Sequence, residues 1–110
     1  MNAHDTNSAS AMWTLYIRQN PDTPARTIDG EALVITPQDS TLHTLNDTAT
    51  FIWDRADGSR TLEAIAQEML DEFDVDEAVL KADALAFVED AVARSLLLTS
   101  DKPIRRFAPT

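Results

Sequence analysis

The dipeptide Asp29-Gly30 limits the fold of this chain more than any other feature, because it lies between two runs of strand-forming residues. Those runs cover residues 26–28 and 32–36. Asp-Gly readily adopts the positive φ angles that a two-residue hairpin turn requires. A second turn at residues 37–40, followed by the alternating segment Thr41 to Leu45, predicts a third strand. The first half of the chain is therefore expected to form a three-stranded antiparallel meander.

Helical spacing replaces this alternation after the third predicted strand. Apolar residues between Ala49 and Ala56 recur every three or four positions, which predicts a first helix. Asn46 or Asp47 can cap the free N–H groups of its first turn. Gly58 is expected to supply the left-handed residue that follows its last turn.

Two more helices are predicted in the second half of the chain. Thr61 can cap a second helix, in which the apolar residues from Leu62 to Phe73 keep helical spacing. A third helix should begin near Asp76 and end near Arg94, because the charge of each residue complements the helix dipole at that end. Residues 96–98 would then dock the chain end or add a short strand. The predicted fold class is α+β, with three strands followed by three helices.

The length of 110 residues and the apolar fraction of 44% suffice for one domain. We expect this domain at residues 20–99, between a flexible N-terminal tail (1–19) and a C-terminal tail (100–110). An apolar cluster at residues 13–17 could pack on the domain or on a partner. The chain contains no Cys and no apolar run of signal-peptide or membrane-spanning length, so a cytoplasmic location is expected.

The formal net charge of −10 limits the classes of partner. Phosphate backbones and anionic lipid headgroups repel such a chain, so neither nucleic acid nor a membrane is expected as a partner. The third predicted helix is itself acidic, with five acids against Lys81 and Arg94. This composition argues against a DNA-binding role for helices two and three. A basic or apolar partner is easier to accommodate.

The sequence contains no recognisable catalytic or metal-binding constellation. His4 and His43 are the only imidazoles, and neither has a Ser, a Cys or a paired carboxylate at motif spacing. Seven acids lie between residues 62 and 77, but the alternating Asp or Asn and the central Gly of a calcium loop are missing. A solvated face explains these acids better, and a docking surface for a basic enzyme patch is the alternative. We expect no enzyme activity, no cofactor and no metal.

The third predicted helix has a wider apolar face than one contact requires. Its apolar residues form two neighbouring stripes, which are Leu80, Ala84, Phe87 and Ala91, and beside them Leu85, Val88 and Val92. Either both stripes pack on the other two helices, or the second stripe lines a groove. The periodicity leaves both alternatives open.

The order of these elements, together with a set of residues spread over about 80 positions, resembles the PqqD family. The residues that match in type and spacing are Asn20-Pro21-Asp22, Ile28-Asp29-Gly30-Glu31-Ala32, Leu45-Asn46, Ile52-Trp53, Asp57-Gly58, Phe73-Asp74-Val75-Asp76, Asp83, Phe87-Val88 and Arg94-Ser95-Leu96-Leu97. PqqD is the small protein of pyrroloquinoline quinone biosynthesis, and its relatives recognise ribosomally made precursor peptides. Ser95 and Ala91 depart from the residues that many relatives have, so the subfamily stays open.

The resemblance implies a winged helix-turn-helix fold and a non-catalytic peptide chaperone, with a precursor leader peptide and a separate modifying enzyme, often a radical SAM enzyme, as its partners. In this family the leader adds as a strand to the third strand and lies against the third helix. Edge strands suit this role, because unpaired N–H and C=O groups give affinity and side-chain pockets give specificity. The peptide-binding residues that the resemblance implies are Thr41, Leu42, His43, Thr44 and Leu45 on the edge, and Lys81, Ala84, Leu85 and Val88 on the helix, with Leu80 deeper.

Three alternatives remain beside this interpretation. Lys81 could meet an acidic residue of the leader, or it could pair with Glu77 one helical turn away. The chain could instead be a structural or regulatory adaptor that recognises a folded protein through the acidic surface of helix two. An exposed third strand could also pair with a second copy in a homodimer, which would mask the groove.

Overall fold

The structure is a computed structural model that describes residues 11–104. In chain order its strands and helices are β1 (Tyr16–Gln19), β2 (Ala25–Ile28), β3 (Glu31–Ile35), β4 (Leu42–Thr44), α1 (Asp47–Arg55), β5 (Asp57–Thr61), α2 (Leu62–Glu72), α3 (Glu77–Ala93) and β6 (Leu97–Ser100). The expected α+β class, with a three-stranded antiparallel sheet ahead of the helices, is confirmed.

The predicted meander is the sheet β2-β3-β4, in which both neighbouring pairs are antiparallel. Its first turn is closed by Asp29 at φ 53° and Gly30 at φ 81°, which are the positive angles expected for this dipeptide. One face of β3 is buried through Ala32 and Val34, whereas Leu33 and Ile35 on the opposite face are only half-buried. The sheet therefore packs on the helices with one face and leaves the other open.

The three helices begin at or next to the residues predicted for their starts. The side chains of Asn46, Thr61 and Asp76 each accept a hydrogen bond from a backbone N–H group in the first turn of the helix that follows. These bonds satisfy donors that the helix itself cannot pair. The local capping signals in the sequence thus fix where each helix starts.

Gly58 does not end α1 as predicted. Helix α1 ends at Arg55, and Gly58 lies in β5 with a φ of 88°. The backbone N–H of Ile104 donates to the carbonyl oxygen of Gly58 at 2.8 Å, and a Cβ atom on this glycine would lie 2.6 Å from the Ile104 carbonyl oxygen. A crossing chain segment, rather than a helix end, requires glycine here.

A second sheet, with the order β5-β1-β6, was not predicted. Its central strand is β1 (Tyr16–Gln19). The prediction of a flexible tail at residues 1–19 is therefore wrong for residues 16–19. Ile17 in this strand is fully buried. Ser100 belongs to β6, and the contact of Ile104 with Gly58 also takes the fold past the expected boundary at residue 99. The remaining parts of both predicted tails, residues 1–10 and 105–110, lie outside the described residues.

The core is shared by both sheets and all three helices. Its largest fully buried side chains are Ile17, Val34, Ile52, Leu62, Ile65, Met69, Val88 and Leu97. These side chains belong to one continuous cluster of buried residues. Among the described residues, no helix combines the length and the apolar character needed to cross a lipid bilayer.

Candidate functional site

Strand β4 forms one edge of its sheet, and β3 is its only partner strand within residues 11–104. The backbone N–H of Leu45 donates to the carbonyl oxygen of Ala32 at 2.8 Å. At the other end of the strand, the N–H of Thr36 donates to the carbonyl oxygen of Thr41 at 2.9 Å. These two bonds fix the phase of the antiparallel ladder between β3 and β4.

The phase of this ladder determines which backbone groups of β4 are open. Hydrogen-bonded pairs alternate along an antiparallel ladder. The register pairs His43 with Val34, midway between the two bonded pairs, so the backbone groups of His43 point toward β3. The N–H and C=O groups of Leu42 and Thr44 therefore point away from the sheet, where a further strand can pair with them.

Asp39 shapes the turn that leads into this edge. Its carboxylate accepts hydrogen bonds from the Thr36 hydroxyl and from the backbone N–H of Thr41, the latter at 3.1 Å. The hydrogen bond from Thr36, supported by the bond from Thr41, lowers the pKa of the Asp39 carboxyl below its usual range. Ser40 completes the turn with a φ of 57°. The first residue of the edge is thus held by an ionised side chain.

A groove with a volume of about 380 Å³ lies between the end of β4, the start of α1 and one flank of α3. Its lining residues are Thr44, Leu45, Asn46, Thr48, Ala49, Ile52, Asp83, Ala86 and Phe87. Its walls mix apolar residues with Thr, Asn and Asp side chains, and the open edge of β4 forms one rim. A strand that paired with β4 would place alternate side chains over this groove.

Carboxylates dominate the charge of the groove. Asp83 is the one charged residue in its lining, and an adjoining hollow of about 290 Å³ adds Glu31 and Asp47 next to Asn46 and Thr48. Within residues 11–104, these three carboxylates form no ion pair. The groove beside the β4 edge therefore has mixed apolar and polar walls and carries the negative charge of Asp83, with Asp47 close by.

The other face of the sheet, beside the same edge, carries no carboxylate in its lining. A shallow depression of about 290 Å³ is lined by Pro24, Ala25, Arg26, Leu33, Ile35 and Leu42. Leu42 in this depression is 59% exposed. The only charged group in the lining is the Arg26 guanidinium. The two faces that meet at β4 thus differ in charge.

The structure places the five predicted edge residues in and around β4. Thr41, Leu42 and Thr44 are exposed, whereas His43 is half-buried and Leu45 is buried. The Nε2 atom of His43 is buried and has no hydrogen-bond partner among the described residues. Leu45 contributes to both the core and the groove lining.

The predicted helix residues do not line the groove. Leu80, Ala84 and Val88 are all at least 98% buried in the core. Leu85 packs against this core, and Lys81 pairs with Glu77 at 3.0 Å. Of the two apolar stripes, Leu80, Ala84, Ala91 and Val88 are buried in the core, whereas Phe87, Leu85 and Val92 are partly buried and pack against it.

The flank of α3 that lines the groove carries Asp83, Ala86 and Phe87 instead. At 100° of rotation per residue, Lys81 and Leu85 lie on the opposite flank of the helix. Asp83 and Phe87 are one turn apart on this flank, and no signal in the sequence distinguishes it, because the helix is apolar on most of its sides. Within the described residues, no three His, Asp or Glu side chains converge in a way that could hold a metal ion.

Three comparisons with known proteins bear on this site. A family model described as coenzyme PQQ synthesis protein D (PqqD) matches residues 31–97, which include β3, β4, β5, all three helices and the first residue of β6. No curated protein is significantly similar in sequence. Two solved structures resemble the fold with a TM-score of 0.64 each.

The first of these structures is TbiB1 in complex with the TbiA(beta) leader peptide, at 21% identity over 73% of this chain and 93% of that chain. The second is lasso peptide synthetase B1 complexed with the leader peptide, at 22% identity over 76% of this chain and 98% of that chain. At this level of identity the likeness establishes a shared fold.

Proposed function

This chain belongs to the PqqD family, and we propose that it binds the leader of a ribosomally made precursor peptide as a strand added to β4. The two solved structures described above are both complexes with a leader peptide. Strand addition uses backbone hydrogen bonds for affinity and side-chain pockets for specificity. The β4 edge and the adjoining groove offer both.

The observation that carries this proposal is the open row of backbone groups on Leu42 and Thr44 beside the groove. Two residues with outward N–H and C=O groups can form up to four hydrogen bonds with an added strand. Side chains of that strand would alternate between the groove with Asp83 and Phe87 and the outer depression with Leu42.

We propose that the chain performs no chemistry and instead presents the bound peptide to a separate modifying enzyme, such as a radical SAM enzyme. Holding the leader raises the effective concentration of the attached core peptide at that enzyme. A cytoplasmic location follows from this role, since ribosomal peptides are made there. A homodimer formed through two β4 edges would occupy the same backbone groups and would compete with the leader.

Titration of a fluorescently labelled leader into the whole protein tests the proposal. Thr44→Pro removes an outward N–H group from β4 and should weaken binding at least about 10-fold, because edge pairing is lost. Thr27→Pro is the matched control, since the N–H of Thr27 points outward from β2, the other edge of the same sheet. Equal affinity of the two variants, with both folded by circular dichroism, would contradict strand addition at β4.

The rival adaptor role can be tested with charge reversals on α2. Glu68 on α2 is engaged by Arg55 at 2.8 Å and by Arg60 at 3.0 Å, so its charge is already neutralised on that surface. Asp71 and Glu72 are exposed and free to meet a partner. Reversing both charges to Lys should leave leader binding intact, whereas the adaptor role predicts that this change abolishes binding of its protein partner.

A further inference from the structure

The two faces of the sheet that meet at β4 differ in chemistry, and a strand added there must meet both. The helix-side face presents the groove with Asp83, and the outer face presents the depression with Arg26 and the exposed Leu42. Successive residues of a strand point to opposite faces of its sheet. Neighbouring residues of a bound strand therefore contact different surfaces, one in the groove and the next in the outer depression.

Charge decides which side a basic residue would occupy. On the helix side, a Lys or Arg can lay its alkyl stem on Phe87 and Ala86 and bring its cationic head to the Asp83 carboxylate. On the outer side, the depression beside Leu42 offers no carboxylate, and its one charged residue is Arg26 on β2. The adjoining carboxylate of Asp47, at the start of α1, adds negative charge next to the groove.

Apolar area decides the occupant of the outer side. Leu42 is opposite Ile35 in the β3–β4 register, and it remains 59% exposed although it borders an apolar depression. An aliphatic side chain on an added strand would become the next cross-strand neighbour of Leu42. Cross-strand contacts between aliphatic side chains on one face are a principal source of sheet stability.

We infer that the segment recognised at β4 is an extended peptide with alternating basic and aliphatic residues, the basic ones facing α3 and the aliphatic ones facing Leu42. This inference rests on the proposed strand addition and specifies the ligand chemistry that the edge selects. A charge of −10 on the whole chain attracts any basic peptide, so only the alternation is informative about this edge.

Two isomeric probes separate alternation from net charge. One is an eight-residue peptide of alternating Lys and Val, and the other carries the same residues as a block of four Lys followed by a block of four Val. Both are capped at their ends and used at concentrations where they are monomeric. The alternating peptide should bind the full chain at least about 5-fold more tightly, in line with burial of one or two side chains.

Protein variants show which residues cause the preference for the alternating peptide. Leu42→Thr should remove most of it, and Asp83→Asn should reduce it about 2- to 3-fold at low salt, as expected for a partly exposed ion pair. The matched controls are Leu98→Thr, on an exposed leucine of the other sheet, and Asp71→Asn, on α2; both should retain it. Equal affinity for the two isomers, or equal loss in the controls, overturns the inference.

Different experiments would contradict the alternating ligand pattern and strand addition at β4. If neither isomer binds, or if both bind equally, the alternating pattern is wrong. Strand addition is decided separately by the cognate leader and the variants Thr44→Pro and Thr27→Pro. Loss of leader binding in Thr44→Pro alone would keep strand addition even when the alternating pattern fails.

Discussion

The backbone N–H of Leu45 lies 2.8 Å from the carbonyl oxygen of Ala32, and this one bond helps to fix which groups of β4 are open to a ligand. Together with the bond from Thr36 to Thr41, it places His43 in a hydrogen-bonded pair with β3. The neighbours of His43 are left with outward-facing backbone groups. The candidate site is therefore defined by the phase of a ladder as well as by its side chains.

Proline substitutions at adjacent positions should affect different properties. His43→Pro removes an N–H group that points to β3, so it should lower the free energy of unfolding by about 1–3 kcal/mol. Thr44→Pro removes only an outward N–H group and should change stability much less. Urea denaturation of the two variants measures this difference. Equal destabilisation would mean that the ladder has another phase.

Two alanine substitutions on α3 test which flank of the helix faces the ligand. Phe87 lines the groove and Leu85 does not, although both are half-buried. Phe87→Ala should weaken leader binding about 5- to 20-fold through lost apolar contact, whereas Leu85→Ala should lower stability and spare the affinity. A larger affinity loss in Leu85→Ala would restore the flank that the sequence first indicated.

The two glycines with positive φ should respond differently to alanine. At Gly58 a Cβ atom would meet the backbone of Ile104, whereas at Gly30 it would meet nothing within 4 Å. Both variants carry backbone strain on the order of 1 kcal/mol. Gly58→Ala should cost about 1–3 kcal/mol more, because the chain near Ile104 must move. Thermal denaturation measures the gap between them, and the absence of a gap would contradict the packing of Ile104 on β5.

Stability at low pH should depend on the turn before β4. The hydrogen bonds from Thr36 and Thr41 lower the pKa of Asp39, so this carboxyl stabilises the fold above its unfolded pKa of about 3.9. That contribution is lost as the pH falls through the lower pKa of the folded state. The stability difference between the wild type and Asp39→Ala should therefore be constant above about pH 5 and shrink below about pH 4.

Denaturant titrations across this pH range measure that difference. Asp74→Ala is the control, since Asp74 is exposed and accepts no hydrogen bond from the described residues. A stability difference for Asp39→Ala that stays constant down to pH 2 would show that its carboxylate does not hold the turn.

Local signals in the sequence suffice to predict the meander and the helices. The turn at Asp29-Gly30, the helical spacing and the caps at Asn46, Thr61 and Asp76 each act within a few residues. Such short-range features favour one local conformation before any tertiary contact forms. For this reason the predicted starts of all three helices agree with the structure.

The second sheet could not be predicted because its pairing is non-local and its strands are short. Tyr16 pairs with Ser100, which is almost the whole described chain away. Strand β5 reads Asp-Gly-Ser-Arg-Thr, a composition that is typical of a turn. Only the packing of the chain ends on the core makes these segments strands.

The groove-facing flank of α3 was missed for a related reason. This helix is apolar on most of its sides, so periodicity does not identify which side faces β4. The choice depends on how the sheet sits on the helices. Asp83 and Phe87 could be placed at the groove only once that packing was known.

Amide hydrogen exchange with and without the leader tests strand addition at β4 most directly. Saturating leader should slow the exchange of the Leu42 and Thr44 amides, which point outward in the unliganded protein. The amide of His43 already faces β3 and should change much less. Slowed exchange at Thr27 on β2, or no change at Leu42 and Thr44, would contradict the account.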